Sequence, residues 1–232
     1  LNDTGSPSED RAKKTMASIA YSKLREEIIS GDLPPDSKLK IRDLCERFDI
    51  GLSPVREALS RLSAEGLVRQ LDQRGFSVSP LDQAGLTDLT RARCWLNEIA
   101  LRQSIAHGGM AWEEEIVLSF HRLSRARRIV DADVTIRTTE WAEAHRAFHR
   151  ALIAASGSEW LTGFCDQLFD AAERYRYHSR RAGRTRESVH SEHEAIMTAT
   201  LERNADLAVE RLTQHFTTTA EFSRASISAI KA

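Results

Sequence analysis

Between Thr15 and Ser79 the apolar residues change their period, from about every fourth position to every second, and few folds accommodate that change. Met16, Ala20, Leu24 and Ile28 lie one helical turn apart, with Lys23, Arg25, Glu26 and Glu27 on the other side. Gly31 stops this helix, and Leu33-Pro34-Pro35-Asp36 makes a rigid turn. A second short helix turns Ile41, Leu44, Cys45 and Phe48 inward, and Asp49-Ile50-Gly51 reads as a tight turn. Ser53-Pro54 is a helix start, with Ser53 as N-cap, Pro54 at the first helical position and Glu57 in the first turn. Val55, Leu59 and Leu62 form that third helix's buried face, and Gly66 ends it. The alternating segments Leu67–Leu71 and Phe76–Ser79 then read as two strands joined by Asp72-Gln73-Arg74-Gly75. Three helices with a short turn before the third, followed by a hairpin, make a winged helix-turn-helix.

From about Asp82 onward no strand signal is found, only apolar stripes at helical spacing. Leu89, Leu96, Ile99 and Ala100 mark one helix, ended by Gly108-Gly109; Trp112, Ile116, Phe120 and Leu123 mark the next. Others carry Trp141, Phe148 and Leu152; Leu161, Phe164 and Leu168; Val189, Ile196 and Met197; Leu207 and Leu212. Six helices in about 150 residues form an antiparallel bundle. With only 11 Gly and 5 Pro in 232 residues, the composition also favours helix. The expected class is therefore mainly α: a flexible tail over residues 1–14, a winged helix-turn-helix over 15–80, and an all-helical bundle over 81–232.

No stretch approaches the length of a membrane span, and no secretory segment opens the chain, so a cytoplasmic protein with no membrane partner is expected. Cys45, Cys94 and Cys165 form no CxxC pair and read as small buried hydrophobes. Taken alone, a net charge of −1 argues against a nucleic-acid partner. Its distribution says otherwise. Arg11 to Pro80 holds 13 basic and 10 acidic residues, whereas Leu81 onward holds 20 and 21. The first domain is mildly basic and the second almost neutral. So small an excess requires paired half-sites and a few well-placed arginines.

The first 80 residues resemble the GntR family of bacterial transcription regulators. The matching run is Leu24-Arg25-Glu26-Glu27-Ile28-Ile29-Ser30-Gly31, Leu33-Pro34-Pro35 and Leu39-Lys40-Ile41-Arg42-Asp43-Leu44, then Ser53-Pro54-Val55-Arg56-Glu57-Ala58-Leu59, Arg61-Leu62, Glu65-Gly66-Leu67-Val68 and Arg74-Gly75-Phe76-Ser77-Val78. The remainder resembles the FCD effector domain of the FadR subgroup, on Phe148-His149, Ser191-Glu192-His193-Glu194-Ala195-Ile196 and His215.

In a helix-turn-helix the second helix enters the major groove N-terminus first. Leu52, Ser53, Pro54 and Arg56 stand there. Arg56 lies one position off the apolar stripe, and its planar fork suits the O6/N7 edge of guanine, the role that the resemblance also gives it. A lone Arg would more simply pair with Glu57 or Glu46. Ser53 can donate to a phosphate. Arg42 resembles the family's other base- or phosphate-contacting arginine, and Arg74-Gly75 resembles its minor-groove reader. Several relatives carry a basic residue where Leu52 stands; an apolar side chain there can touch a thymine methyl.

His145 and His149 project from one helical face, on the Trp141-Phe148-Leu152 stripe. His193 shares a face with Val189, Ile196 and Met197, and His215 follows Leu212 by three. Any one of them alone reads as a satisfied core histidine. Four from three helices, converging without a metal, would need many hydrogen bonds. Imidazole suits zinc or nickel. The resemblance implies a metal at these positions, with an aspartate usual where His145 stands. Either the set is all-histidine, with a neutral ligand at 145 that raises the charge at the metal and favours an anionic effector, or His145 is a pocket residue and three histidines hold the metal. His190, one turn before His193, is a candidate to support a ligand; His107 reads as a helix C-terminal residue favoured by the dipole, and His121 and His178 fit solvated faces. The resemblance directs Arg93 into the effector cavity, where an inward Arg beside a metal suits a carboxylate clamp, an intrahelical or interface ion pair being the equal alternative. Asn97 stands where the family usually has glutamate, and Tyr175 is a further lining candidate.

The favoured expectation is a homodimeric regulator, a repressor by family default, that binds a double-stranded operator under control of a small carboxylate near a divalent transition metal. Two alternatives are a histidine-rich metal hydrolase carrying a DNA-binding domain, for which no HExxH, GxSxG or P-loop is present, and a constitutive DNA binder whose bundle only dimerises.

Overall fold

The computed structural model describes residues 15–71, 75–126, 139–181 and 188–230. The expected tail and the turn residues Asp72, Gln73 and Arg74 lie outside them. The chain divides into two compact units, one of residues 1–28 with 36–79, the other of residues 29–35 with 80–232.

In the first unit the period change becomes α1 (Met16–Ile29), β1 (Lys38–Leu39), α2 (Ile41–Phe48), α3 (Leu52–Ala64), β2 (Val68–Leu71) and β3 (Gly75–Val78). Ala20, Leu24 and Ile28 of α1 meet Val55, Leu59 and Leu62 of α3 in being fully buried, as their spacing requires. Asp49 takes the left-handed conformation after α2, with φ 53°, and its N–H closes on the last turn of that helix. Two details differ from the sequence reading. The helix α3 starts at Leu52 with Gly51 as its N-cap, not at Ser53. Ser53 and Pro54 fall in the first turn, where a missing N–H costs nothing. The sheet also has a third strand, in the order β1-β3-β2, with Leu39 opposite Phe76. A two-residue strand has no period to read. Its pairing is extended by Asp36 N–H donating to Val78 O at 3.1 Å and Val78 N–H donating to Ser37 O at 2.9 Å.

The second unit contains α4 (Gln83–His107), α5 (Met110–Arg125), α6 (Thr139–Ile153), α7 (Glu159–Arg181), α8 (Val189–Leu201) and α9 (Ala205–Ile230). Asp82 caps α4 by accepting from Gly85 N–H at 2.7 Å. Leu101, Ile116, Phe148, Leu152, Ile196 and Phe216 sit in one continuous core drawn from α4, α5, α6, α8 and α9. The turn from α4 to α5 depends on Gly108, because a Cβ there would lie 2.1 Å from the Trp112 ring. Trp112 is held by its indole N–H, which donates to Ala151 O at 2.8 Å. Arg203, between α8 and α9, closes the same end of the bundle by donating to Ile105 O at 2.6 Å and Gly108 O at 2.7 Å.

Two expected core positions are on the surface instead. Ile99 is 51% exposed and Phe164 47% exposed. On α7 the buried face is Cys165, Phe169 and Ala172, one position round from Phe164 and Leu168. That helix carries apolar residues on more than one face, so spacing alone did not select the inward one. Tyr175 belongs to a second apolar cluster with Leu81, Leu86, Ala220 and Ile227. Among the described residues no helix is long and apolar enough to cross a membrane.

Candidate metal centre

The i, i+4 spacing of α6 stacks His145 over His149, and both are buried with Trp141, Phe148 and Leu152. His193 from α8 and His215 from α9 are also buried and complete the group. One ring nitrogen from each of His145, His149, His193 and His215 lies within 4.8 Å of the others. His145 Nε2 and His149 Nε2 are 3.2 Å apart. The His193 and His215 rings are 4.6 Å apart between centroids. Trp141 stacks on His145 at 4.5 Å and 17°, and Phe148, Phe169 and Phe216 surround the other rings.

This donor set fits a borderline divalent metal. Metal–imidazole bonds of about 2.0–2.1 Å place neighbouring nitrogens roughly 3–3.5 Å apart, and the His145–His149 separation already falls in that range. The rings are also held as ligands must be. Burial foremost, then the neighbouring His193, His215, Arg93 and Arg176, keep His149 well below the ordinary histidine value. It is therefore neutral, with a lone pair to offer, at physiological pH. His215 Nδ1 lies 2.8 Å from Glu192 Oε2, and His145 Nδ1 lies 3.9 Å from Glu173 Oε1.

The His149 environment sets a pH dependence. In the unfolded chain its imidazole takes a proton near pH ~6.5; in the folded protein it does so only at much lower pH. The contribution is complete above the unfolded value and is lost as pH falls toward the folded one. Thermal melts of metal-free protein between pH 7.5 and 5 should show a falling Tm, with a shallower fall in His149→Gln. Parallel profiles for the two proteins would contradict this.

Beside His149 a small cavity of about 10 Å³ is lined by Arg93, Asn97, Cys165, Phe169 and Phe216, with Arg146, Arg150 and Asp166 on its more exposed side. It has room for about one water. Arg93 is 4% exposed, and its guanidinium lies 3.9 Å over the Phe216 ring. Its Nε has no hydrogen-bond partner among the described residues. Burial, and then Arg176, bring Arg93 down to about 9, so it remains a cation at neutral pH. Asn97 donates from Nδ2 to Arg93 O at 2.9 Å. Burial pushes the Cys165 thiol up to about 11, which makes it a poor metal ligand.

Of the candidates named from sequence, the structure brings together His145, His149, His193, His215, Arg93 and Asn97. Tyr175 is buried in the other cluster and does not line this cavity. Exposed His190 stacks on Phe120 at 5.5 Å, rather than joining the histidines. Two carboxylates face ring nitrogens of the group, Glu192 at His215 Nδ1 and Glu173 at His145 Nδ1, and Arg176 pairs with Glu173. Sequence spacing gave no sign of Glu173, and it left Glu192, which stands next to His193, off that residue's inward face.

In the other unit, Leu52, Ser53 and Arg56 are exposed on the first two turns of α3, and Pro54 is partly exposed. Arg42 is exposed on α2, and Gly75 at the start of β3. Arg56 makes no ion pair among the described residues, so neither Glu57 nor Glu46 engages it.

Residues 17–78 match the family of bacterial regulatory proteins, gntR family, and residues 88–218 match the FCD domain. The chain belongs to the GntR family. It is a transcription regulator with an FCD domain, not an enzyme. It is 37% identical over 87% of its length, and 82% of the relative's, to the uncharacterized HTH-type transcriptional regulator BphR of Paraburkholderia xenovorans. It is 34% identical over 88% of its length, and 94% of the relative's, to the HTH-type transcriptional repressor GlaR of Escherichia coli. The fold is like that of E. coli McbR/YncC, with a TM-score of 0.72 at 18% identity, covering 88% of this chain and 94% of that one. Regulators of the GntR family bind DNA operators and commonly dimerise.

Proposed function

We propose that this GntR regulator is a metal-assisted repressor whose hold on its operator is released by a small carboxylate. The observation that carries the proposal is the group of four buried imidazoles beside the buried cation Arg93. A zinc or nickel ion held by His145, His149, His193 and His215 would supply positive charge and a coordination site at the cavity. Arg93 would clamp the effector carboxylate through its guanidinium fork, with Asn97 holding the adjacent backbone. Repression is the action that GlaR's name prints for that relative.

The DNA side of the proposal rests on the exposed start of α3. A homodimer would set two such helices one turn of DNA apart. Arg56 reads a guanine edge in each half-site, Leu52 and Pro54 meet bases or methyl groups, Ser53 donates to a phosphate, and Arg42 and the wing at Arg74-Gly75 flank them.

A cavity of about 10 Å³ excludes a metabolite-sized carboxylate as it stands. Arg146 lies beside Asp166 and Asp170, and Arg150 Nε lies 3.7 Å from Asp166. Effector binding therefore requires these side chains to move, and linkage then couples the site to DNA. A gel shift with metal-loaded protein tests this against a panel of small carboxylates. At least one, binding in the micromolar range, should weaken the operator complex, and Arg93→Ala should lose that response while still binding DNA. If the tightest-binding carboxylate leaves the complex unchanged, the chain is a constitutive binder.

A further inference from the structure

A signal that the histidine pattern did not carry sits at the first turn of α8. Ser188 occupies the N-cap position, yet its side chain makes no capping bond to a backbone N–H. Its hydroxyl donates instead to Glu192 Oε1 at 2.7 Å. The other oxygen of that carboxylate, Oε2, lies 2.8 Å from His215 Nδ1 on α9. An N-cap serine usually satisfies the helix's own amides. Here that local preference gives way to a chain running from Ser188 through Glu192 to His215, the kind of local departure expected at functional or strained sites.

The chemistry of the chain has one direction. An ionised carboxylate only accepts hydrogen bonds, so His215 Nδ1 carries the proton. His215 Nε2, itself buried, is then the nitrogen with a lone pair. We infer that Glu192 is a positioning residue for the metal centre: it fixes the tautomer and aim of His215, and Ser188 fixes Glu192. The inference rests on the metal reading of the four histidines. It also bears on the set's lack of a carboxylate ligand. With imidazole at position 145, Glu192 brings negative charge to within one hydrogen bond of a ligand. A carboxylate acting through the far nitrogen makes imidazole a stronger donor.

The test pairs two readouts on full-length protein. In long-range 1H–15N spectra of metal-free, 15N-histidine-labelled protein, His215 should be the Nδ1–H tautomer. It should keep that form in Glu192→Gln, whose amide oxygen still accepts, and lose it in Glu192→Ala. Chelator competition with Zn²⁺ and Ni²⁺ should show Glu192→Ala binding about 10–100-fold more weakly, Glu192→Gln falling between it and wild type, and Ser188→Ala changing little more than a few-fold. Two results would overturn the inference: an Nδ1–H tautomer that persists in Glu192→Ala, or metal affinity there within twofold of wild type. If wild type takes up neither metal, the metal reading fails, and the positioning role toward it fails too; loss of the Nδ1–H tautomer in Glu192→Ala would then separately show that the Glu192–His215 bond exists.

Discussion

Replacing His193 with alanine lowers metal affinity by roughly 10²–10³-fold. Four-ligand structural zinc sites are worth about 10–16 kcal/mol, so one ligand's share is about 3–4 kcal/mol, and each ~1.4 kcal/mol is a factor of ten. The effect should be large because the site is buried: His193 is 1% exposed, so bulk solvent does not readily replace its donor. Alanine also leaves a void in the core, which lowers stability whatever the metal does. His193→Gln keeps most of the volume and separates the two effects, since it should lose metal nearly as fully while melting closer to wild type. His190→Ala is the control. That exposed ring packs on Phe120 away from the cluster, and its loss should leave affinity within a factor of two. Equal behaviour of the 190 and 193 variants in chelator competition would contradict the assignment.

Arg56→Ala lowers operator affinity by about 10²-fold or more while leaving non-specific DNA binding nearly as it was. A bidentate arginine–guanine contact discriminates by about 1–3 kcal/mol, and a two-fold operator counts it twice. The side chain stands ready for this, exposed on α3 with no carboxylate engaging it among the described residues. Lysine should not rescue the loss, because an ammonium lacks the planar fork. Arg42→Ala serves as a comparison. If it touches phosphate, it should weaken all sequences alike and flatten the salt dependence by about one ion. Equal losses on operator and random DNA for Arg56→Ala, in titrations at fixed salt, would place Arg56 on the backbone instead.

Much of this was legible from the residues. The change of period at Leu67 fixed the order of helices and hairpin, and the i, i+4 pair His145/His149 on an apolar stripe announced an inward histidine face. His193 and His215 followed from the same rule. What spacing could not show depends on neighbours distant in sequence. The strand at Lys38–Leu39 exists only because β3 pairs with it. On α7, Cys165 and Phe169 were chosen over Phe164 by the helices packed against them, and Tyr175 went to a different cluster. Glu192 lies next to His193 in sequence, and its partner is seen only because α9 brings His215 to it across 23 positions. Arg93 and Asn97 were suggested by the family resemblance rather than by periodicity. Their burial in one cavity with His149 supplies the physical reason.

The central claim is that four imidazoles hold one metal ion in the FCD unit. X-ray absorption at the metal edge, on protein loaded with one equivalent of Zn²⁺ or Ni²⁺, addresses it most directly. The account predicts a first shell containing four imidazole nitrogens, at about 2.0–2.1 Å for zinc, reduced by one in His193→Gln. A sulfur shell, a shell dominated by oxygen, or a spectrum unchanged by that substitution would contradict it.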